Sequence, residues 1–215
     1  TSPISASAPS RTAACAASSG VSLTFIDKVT GAGVIHFSPA NTSPTFTTYD
    51  DNGLYFRTAP SDALQGAVQA SNALDNGFTS GASIARKDPY GEGLQNAFIA
   101  DFEAGGGTIT TALTYDPTAA SFEAEVAEIA AVNPEFVQVV GFDESTKLIQ
   151  EMIKQGVGPQ DVQIYLADGN LSATAAGDIT QTAALTGLCW REPLLLHAAP
   201  LHDLRARPPV AAITH

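Results

Sequence analysis

Several short runs gather hydroxyls, carboxylates and aromatic rings. They are Ser18-Ser19, Ser38 with Ala40-Asn41-Thr42, Arg86-Lys87-Asp88 with Tyr90, Tyr115-Asp116 with Thr118, Gly141-Phe142-Asp143-Glu144, and Asp168 with Asn170. No histidine or cysteine falls among them. Without those residues the set has no ready base–nucleophile pair, but it is well suited to holding a small polar molecule, including a zwitterion. A ligand carboxylate would sit at the helix N-terminus opened by Ser18 and Ser19, where free N–H groups and the helix dipole favour an anion. A ligand ammonium would face Asp168. Each residue also has a plainer reading. Ser18 and Ser19 can be helix caps, Asp168-Gly169 a turn, and Tyr90-Gly91 packing at a helix start. Asp88 can cap that helix, and Thr42 can stiffen a proline-rich loop. What lifts the group above its members is that the other runs follow strands, where parallel α/β sheets bind ligands, and Ser18-Ser19 opens a helix on the same side.

Covalent catalysis fits poorly. His36 lies inside an apolar strand, as a core or edge residue, and the other histidines fall in an atypical tail. There is no G-x-S-x-G elbow and no Walker lysine. Gly31-Ala32-Gly33 and Gly105-Gly106-Gly107 precede strands rather than follow them, so neither is a dinucleotide fingerprint. The competing reading is an α/β enzyme or a ligand-sensing domain that uses Asp143, Glu144 or Asp168 for acid–base work. Asp143-Glu144 also opens a helix, where acids are ordinary.

The elements that position these runs follow from periodicity. Residues 1–17 read as an irregular start and not as a strand. A helix is expected from Ser18 or Ser19 through Val29, although the alternation of Val21, Leu23 and Phe25 keeps a strand open. Val34–Phe37 reads as a short buried strand that runs into the loop Ser38–Pro44. Leu54–Thr58 is β-prone and ends at Pro60, and Ser61 or Asp62 caps the next helix. That helix sets Leu64, Val68, Ser71 and Leu74 on one face. Strands follow at Ala82–Ala85, Thr108–Thr114, Phe136–Val140 and Val162–Leu166, their starts about 27 residues apart, as in successive strand–helix units. Between them lie apolar helical faces built from Leu94, Phe98 and Phe102, then Phe122, Val126 and Ile129, then Leu148, Ile149, Met152 and Ile153. This beat predicts α/β architecture with parallel sheet covered on both faces.

The net charge of −12, from 10 basic and 22 acidic residues, argues against nucleic acid and anionic membrane surfaces as partners. No apolar run is long enough to span a bilayer. Neither a metal-ligand spacing nor a C-x-x-C is formed by Cys15 and Cys189, and Cys15 is expected to be a buried small residue. No cofactor is implied. From about Gly187 the character changes: residues 188–215 hold Trp190, His197, His202, His215 and three of the arginines, but no lysine. The region 181–215 therefore reads as an atypical tail, with out-of-frame or unrelated sequence preferred to a native extension.

The runs Ser38-Pro39-Ala40-Asn41-Thr42-Ser43-Pro44, Tyr55-Phe56-Arg57-Thr58-Ala59-Pro60-Ser61-Asp62 with Gln65-Gly66, and Asp88-Pro89-Tyr90-Gly91-Glu92-Gly93-Leu94 resemble the type I periplasmic binding proteins. More narrowly they resemble the branched-chain amino-acid class of ABC-transporter substrate-binding proteins. Tyr115-Asp116-Pro117, Phe122, Asn133-Pro134, Gly141-Phe142 and Leu166-Ala167-Asp168-Gly169 agree, so the likeness covers about residues 16–180. The resemblance implies two Rossmann-like lobes joined by a hinge and closing on a ligand. It implies a partial first lobe at 1–58 and a second lobe at 59–180. Ser19, Ala40 through its carbonyl, and Thr42 would be first-lobe contacts. Tyr90 and Phe142 would wall the second lobe, and Asp168 would face a ligand ammonium. Phe142 brings a ring without a hydroxyl, and Asp168 an acid one carbon shorter than glutamate. The implied ligand is an amino acid, amide or urea-like molecule, and the implied partner is a membrane ABC permease. The implied location is the periplasm, or an extracytoplasmic membrane-anchored site. Opening elements, a signal or lipoprotein segment and a closing third are expected to be missing. A truncated chain of this kind should expose edges and apolar faces, dissolve poorly and bind weakly on its own.

Overall fold

The structure, a computed structural model, describes residues 13–170. All described strands are parallel and form two sheets. The first is three-stranded, in the order β1 (Ala14–Cys15), β2 (His36–Ser38), β3 (Tyr55–Arg57). Helices α1 (Ser19–Leu23) and α2 (Ile26–Gly31) connect β1 to β2, and a 3-10 turn at Pro44–Thr48 precedes β3. The remaining helices and strands alternate: α3 (Asp62–Asp75), β4 (Ser80–Arg86), α4 (Gly91–Ala104), β5 (Thr108–Tyr115), α5 (Glu123–Ala131), β6 (Phe136–Val140), α6 (Ser145–Lys154), β7 (Gln163–Leu166). The second sheet is ordered β5-β4-β6-β7, so the chain reverses direction across the sheet after β5. That reversal opens a crevice at the carboxyl ends of β4 and β6. Fold class and strand positions agree with the sequence reading.

Both faces of the second sheet are covered. On one lie Phe122, Val126, Ile129, Leu148, Ile149 and Met152 of the α5 and α6 segments, against Ile84, Val137, Val139 and Ile164. On the other, Phe98, Phe102, Ala70 and Ala73 of α4 and α3 surround Phe136 and Tyr165. This second face also carries a buried chain of polar side chains. Gln95 donates to Ser83 Oγ (3.0 Å) and to the Leu113 carbonyl (2.9 Å). Ser83 donates to Gln138 Oε1 (2.8 Å), and Gln138 donates to Gln69 Oε1 (2.7 Å). Gln69 ends the chain on the Leu166 carbonyl (3.0 Å). Every link is made, so the amides are buried without orphaned donors.

Four sequence expectations are corrected. Residues 1–17 do contain a strand: Ala14–Cys15 pairs with β2, held by Ala14 N–H to the Ile35 carbonyl (3.0 Å) and Ser38 Oγ to the Ala16 carbonyl (2.6 Å). The single helix from Ser18 to Val29 is two short ones. Thr24 Oγ1 bonds back to the Val21 carbonyl (2.7 Å), and Phe25 leaves the helical path to stack on His36 at 4.8 Å. Cys15 is exposed. The apolar stripe of α3 faces outward, with Leu64 59% and Val68 56% exposed. The helix buries Gly66, Gln69, Ala70 and Ala73 instead. A Cβ on Gly66 would lie 2.7 Å from the Phe98 backbone nitrogen, so α3 approaches α4 through its small residues.

In the first sheet, His36 and Ser38 are buried whereas Ile35 and Phe37 are exposed, so Val34–Phe37 is not buried throughout. Phe37 pairs in register with Phe56, itself 50% exposed. An apolar face of this sheet is therefore bare among the described residues. Residues 171–180, the tail at 181–215 and Cys189 lie outside the described residues.

Candidate functional site

The candidate residues converge where the carboxyl ends of the two sheets meet. The Ser43-Pro44 loop meets the first turn of α4: a Cβ on Gly93 would lie 2.8 Å from Pro44 Cδ. Nearby, a Cβ on Gly20 would lie 3.7 Å from Pro89 Cδ. From the first sheet come Ser18 and Ser19, after β1, and Ala40 and Thr42, after β2. Ser18 is the N-cap of α1 but makes no side-chain cap bond. Ser19 is buried, and its Oγ accepts the Ser43 N–H at 3.2 Å, tying the two loops together. Ala40 is exposed and Thr42 is buried.

From the second sheet come Tyr90, after β4, Phe142, after β6, and Asp168, after β7. Tyr90 is 3% exposed and donates its hydroxyl to Asp168 Oδ1 at 2.9 Å. The Tyr90 hydroxyl oxygen in turn accepts the Gly169 N–H at 3.1 Å. Burial and the Asp168 charge push the Tyr90 hydroxyl well above its ordinary pKa, so it remains a neutral donor. Phe142 stacks on Tyr90 at 5.1 Å with 7° between the rings. The Arg86 guanidinium lies over Phe142 at 4.1 Å and is held by Asp88 (2.6 Å) and Glu144 (2.8 Å). Asp168 remains exposed beside this column. The structure thus joins Tyr90, Phe142 and Asp168 in direct contact, with Ser19 and Thr42 on the facing loops.

The acid–base alternative gains nothing from the geometry. Glu144 Oε1 accepts from Arg86, from Tyr115 Oη (3.1 Å) and from the Phe142 N–H (3.1 Å), so it ties down the Phe142 loop. Asp143 is exposed. His36 is in the core, bonded to Ser22 Oγ at 3.2 Å and depressed in pKa by burial. No cluster of potential metal ligands occurs among the described residues.

Two site residues escaped the sequence reading, which saw Asp62 only as an alternative helix cap and Gln65 only as part of a motif. Ser61 makes the cap, accepting Ala63 N–H at 3.3 Å, and Asp62 turns inward to 0% exposure. Its backbone N–H donates to the Thr42 carbonyl at 2.8 Å. The Gln65 amide, oriented to match its neighbours, donates to Asp168 Oδ1 (3.1 Å) and Asp62 Oδ1 (3.3 Å). It also accepts the Asp168 N–H at 3.1 Å. Asp62 Oδ2 and Thr42 Oγ1 are buried without a hydrogen-bond partner. Burial pushes the Asp62 carboxyl up to about 7; the adjacent Thr42 hydroxyl and Arg57 hold it down, and Asp168 adds to the rise. The signal in sequence was the pair Asp62 and Gln65, spaced to share one turn of a helix.

Comparison with known proteins agrees with this architecture. A solute-binding protein of an ABC transporter from R. palustris, solved in complex with benzoate, superposes with a TM-score of 0.69 at 18% identity, covering 77% of this chain and 46% of that one. An extracellular ligand-binding receptor from Rhodopseudomonas palustris HaA2 gives 0.70 at 20% identity, over 76% of this chain and 45% of its own. An uncharacterized protein of Methanocaldococcus jannaschii is 32% identical over 88 residues, 39% of this chain and 21% of that protein. The chain therefore spans less than half the length of these solved proteins and about a fifth of the archaeal one. Residues 11–196 match the periplasmic binding protein family, past the point near Gly187 where composition changes. With its parallel sheets and a polar cluster at their carboxyl ends, the chain belongs to the periplasmic binding proteins of type I, in the branched-chain amino-acid class.

Proposed function

We propose that this chain is part of the solute-binding component of an ABC uptake transporter. It takes a small polar ligand at the junction of a partial first lobe, residues 1–58, and a second lobe, residues 59–180. The observation that carries this reading is Asp168: an exposed carboxylate fixed by Tyr90 and Gln65, beside a stacked Tyr90–Phe142 pair. A fixed acid beside rings is a receptor for a cationic or donor-bearing group. Ser18, Ser19, Ala40 and Thr42 line the facing loops, where a ligand carboxylate or amide would lie. An amino acid fits best, with short amides and urea-like molecules next. The benzoate held by the similar R. palustris protein adds aromatic acids to the panel.

The mechanism is non-catalytic. Ligand contacts made from both sides stabilise the arrangement in which the Pro44 loop meets α4. That form would dock on a membrane permease, outside the cytoplasm, either in the periplasm or anchored to a membrane. Calorimetry with amino acids, short amides, urea and benzoate, run beside a turnover screen, tests this. Saturable binding without turnover, weakened by Asp168→Asn, is expected. Turnover abolished by Asp168→Asn would instead establish an enzyme.

A further inference from the structure

Asp62 is an unusual carboxyl. It is 0% exposed, its Oδ2 makes no hydrogen bond of ordinary geometry, and the buried Thr42 hydroxyl beside it offsets its burial only in part. Among the described residues no cation pairs with it directly, although the Arg57 charge lowers its pKa from a distance. Arg57, on β3, is spent on the Ser43 carbonyl (2.9 Å), the Asn41 carbonyl (3.4 Å) and Thr47 Oγ1 (3.0 Å). The other charged or titratable groups that act on Asp62 are Asp168, after β7, and Tyr90, at the start of α4, which burial keeps neutral. On its own helix, Gln65 bridges Asp62 Oδ1 to Asp168 Oδ1. One amide therefore couples a buried carboxyl to the exposed carboxylate of the ligand site.

We propose that Asp62 is a specificity-determining residue whose protonation is linked to ligand binding: a cationic nitrogen seated at Asp168 is bound with release of the Asp62 proton to the solvent buffer, and an anionic ligand with its retention. The inference rests on the solute-binding reading of this site. Burial disfavours the charged form of Asp62 and the neighbouring Asp168 carboxylate adds to that, so a proton is retained on the buried acid. A ligand cation at Asp168 cancels the repulsion that held that proton in place. Binding and proton release are then linked, and affinity for a cationic ligand rises with pH through neutrality. The linkage favours ammonium and amidinium ends over carboxylate ends, and more strongly in alkaline surroundings.

Calorimetry at pH 7 in phosphate and in Tris, whose ionisation enthalpies differ, counts the protons exchanged by the full-length protein. The probes are L-leucine, γ-aminobutyrate, urea and benzoate. An ammonium-bearing binder is expected to release roughly half a proton, and benzoate to release none. Asp62→Asn should abolish the release and flatten the affinity between pH 6 and 8. Gln65→Leu provides a second variant that keeps the buried carboxyl but breaks its bridge, and it should reduce the release. Ammonium binding without proton release, or release unchanged in both variants, overturns the inference and leaves solute binding intact. If none of the probes binds, the solute-binding reading falls and takes this inference with it. A carboxyl-carbon NMR titration of the unliganded protein reads Asp62 directly, and a midpoint in the ordinary aspartate range overturns the inference alone.

Discussion

Asp62 and Asp168 show how placement separates two identical side chains. Asp168 stays open to solvent and is fixed by a phenol and an amide, whereas Asp62 is sealed beneath it. Burial raises the Asp62 pKa to about 7, above its unfolded value of 3.8. As pH rises from about 4 to 7 the unfolded chain ionises this group before the folded one does, so the folded state loses stability across that window. The loss is complete above the folded pKa and is on the order of 4 kcal/mol before relaxation. Asp62→Asn should therefore raise the melting temperature relative to the parent by more at pH 8 than at pH 5. An equal gain at both pH values would contradict the buried-acid account. At the neighbouring carboxylate, Asp168→Asn should weaken an ammonium-bearing ligand by about ten- to a hundredfold, the scale of a charge-assisted hydrogen bond. Asp168 was legible as a ligand-facing acid, but Asp62 was not, because a helix-starting Ser61-Asp62 pair does not reveal which side chain caps and which turns inward.

At the scale of elements, β2 to β7 were legible as short apolar runs between turn signals, and three of the helices because their apolar positions repeat at a period of 3.6. The α3 face was not. Leu64 and Val68 point outward while Leu74 packs on the core, and the contact with α4 is made by glycine and alanine, which carry little hydrophobic signal. Gly66→Ala tests that contact. In an exposed helix the change would stabilise by about 1 kcal/mol, yet here the added Cβ meets the Phe98 backbone, and a net loss of about 1–3 kcal/mol is expected. Chemical denaturation of the variant reads the sign. The strand Ala14–Cys15 was illegible because two residues show no period at all.

For the molecule as a whole, what matters is how the two sheets meet. The Ser43-Pro44 loop touches the start of α4 with no space beside Gly93. Gly93→Ala should wedge this contact apart and weaken ligand affinity about tenfold, while each sheet keeps its own core. Unchanged affinity would mean that the contact plays no part in closure. Among the described residues, Ile35, Phe37 and Phe56 by the first sheet and Leu64 and Val68 on α3 are exposed. The family and the βα beat were readable from short motifs in order. The junction was not, because it depends on contacts between residues far apart in sequence, such as Tyr90 with Asp168 and Gly93 with Pro44.

The chain of amides and hydroxyls from Gln95 through Ser83, Gln138 and Gln69 to the Leu166 carbonyl has a consequence for how this sequence can drift. Gln138 both accepts from Ser83 and donates to Gln69, so replacing it alone leaves buried groups on two elements unmatched. Gln138→Leu should destabilise by about 2–5 kcal/mol, the desolvation of two orphaned groups, and a melt of the purified variant would measure it. Pairing it with Gln69→Leu removes the orphaned Gln69 oxygen but strips the Leu166 carbonyl of its donor, so the double variant should differ from the sum of the two single changes. Across related sequences, positions 69 and 138 are therefore expected to change together: amide with amide or apolar with apolar. An alignment in which they vary independently would show that the two ends of the link evolve as strangers.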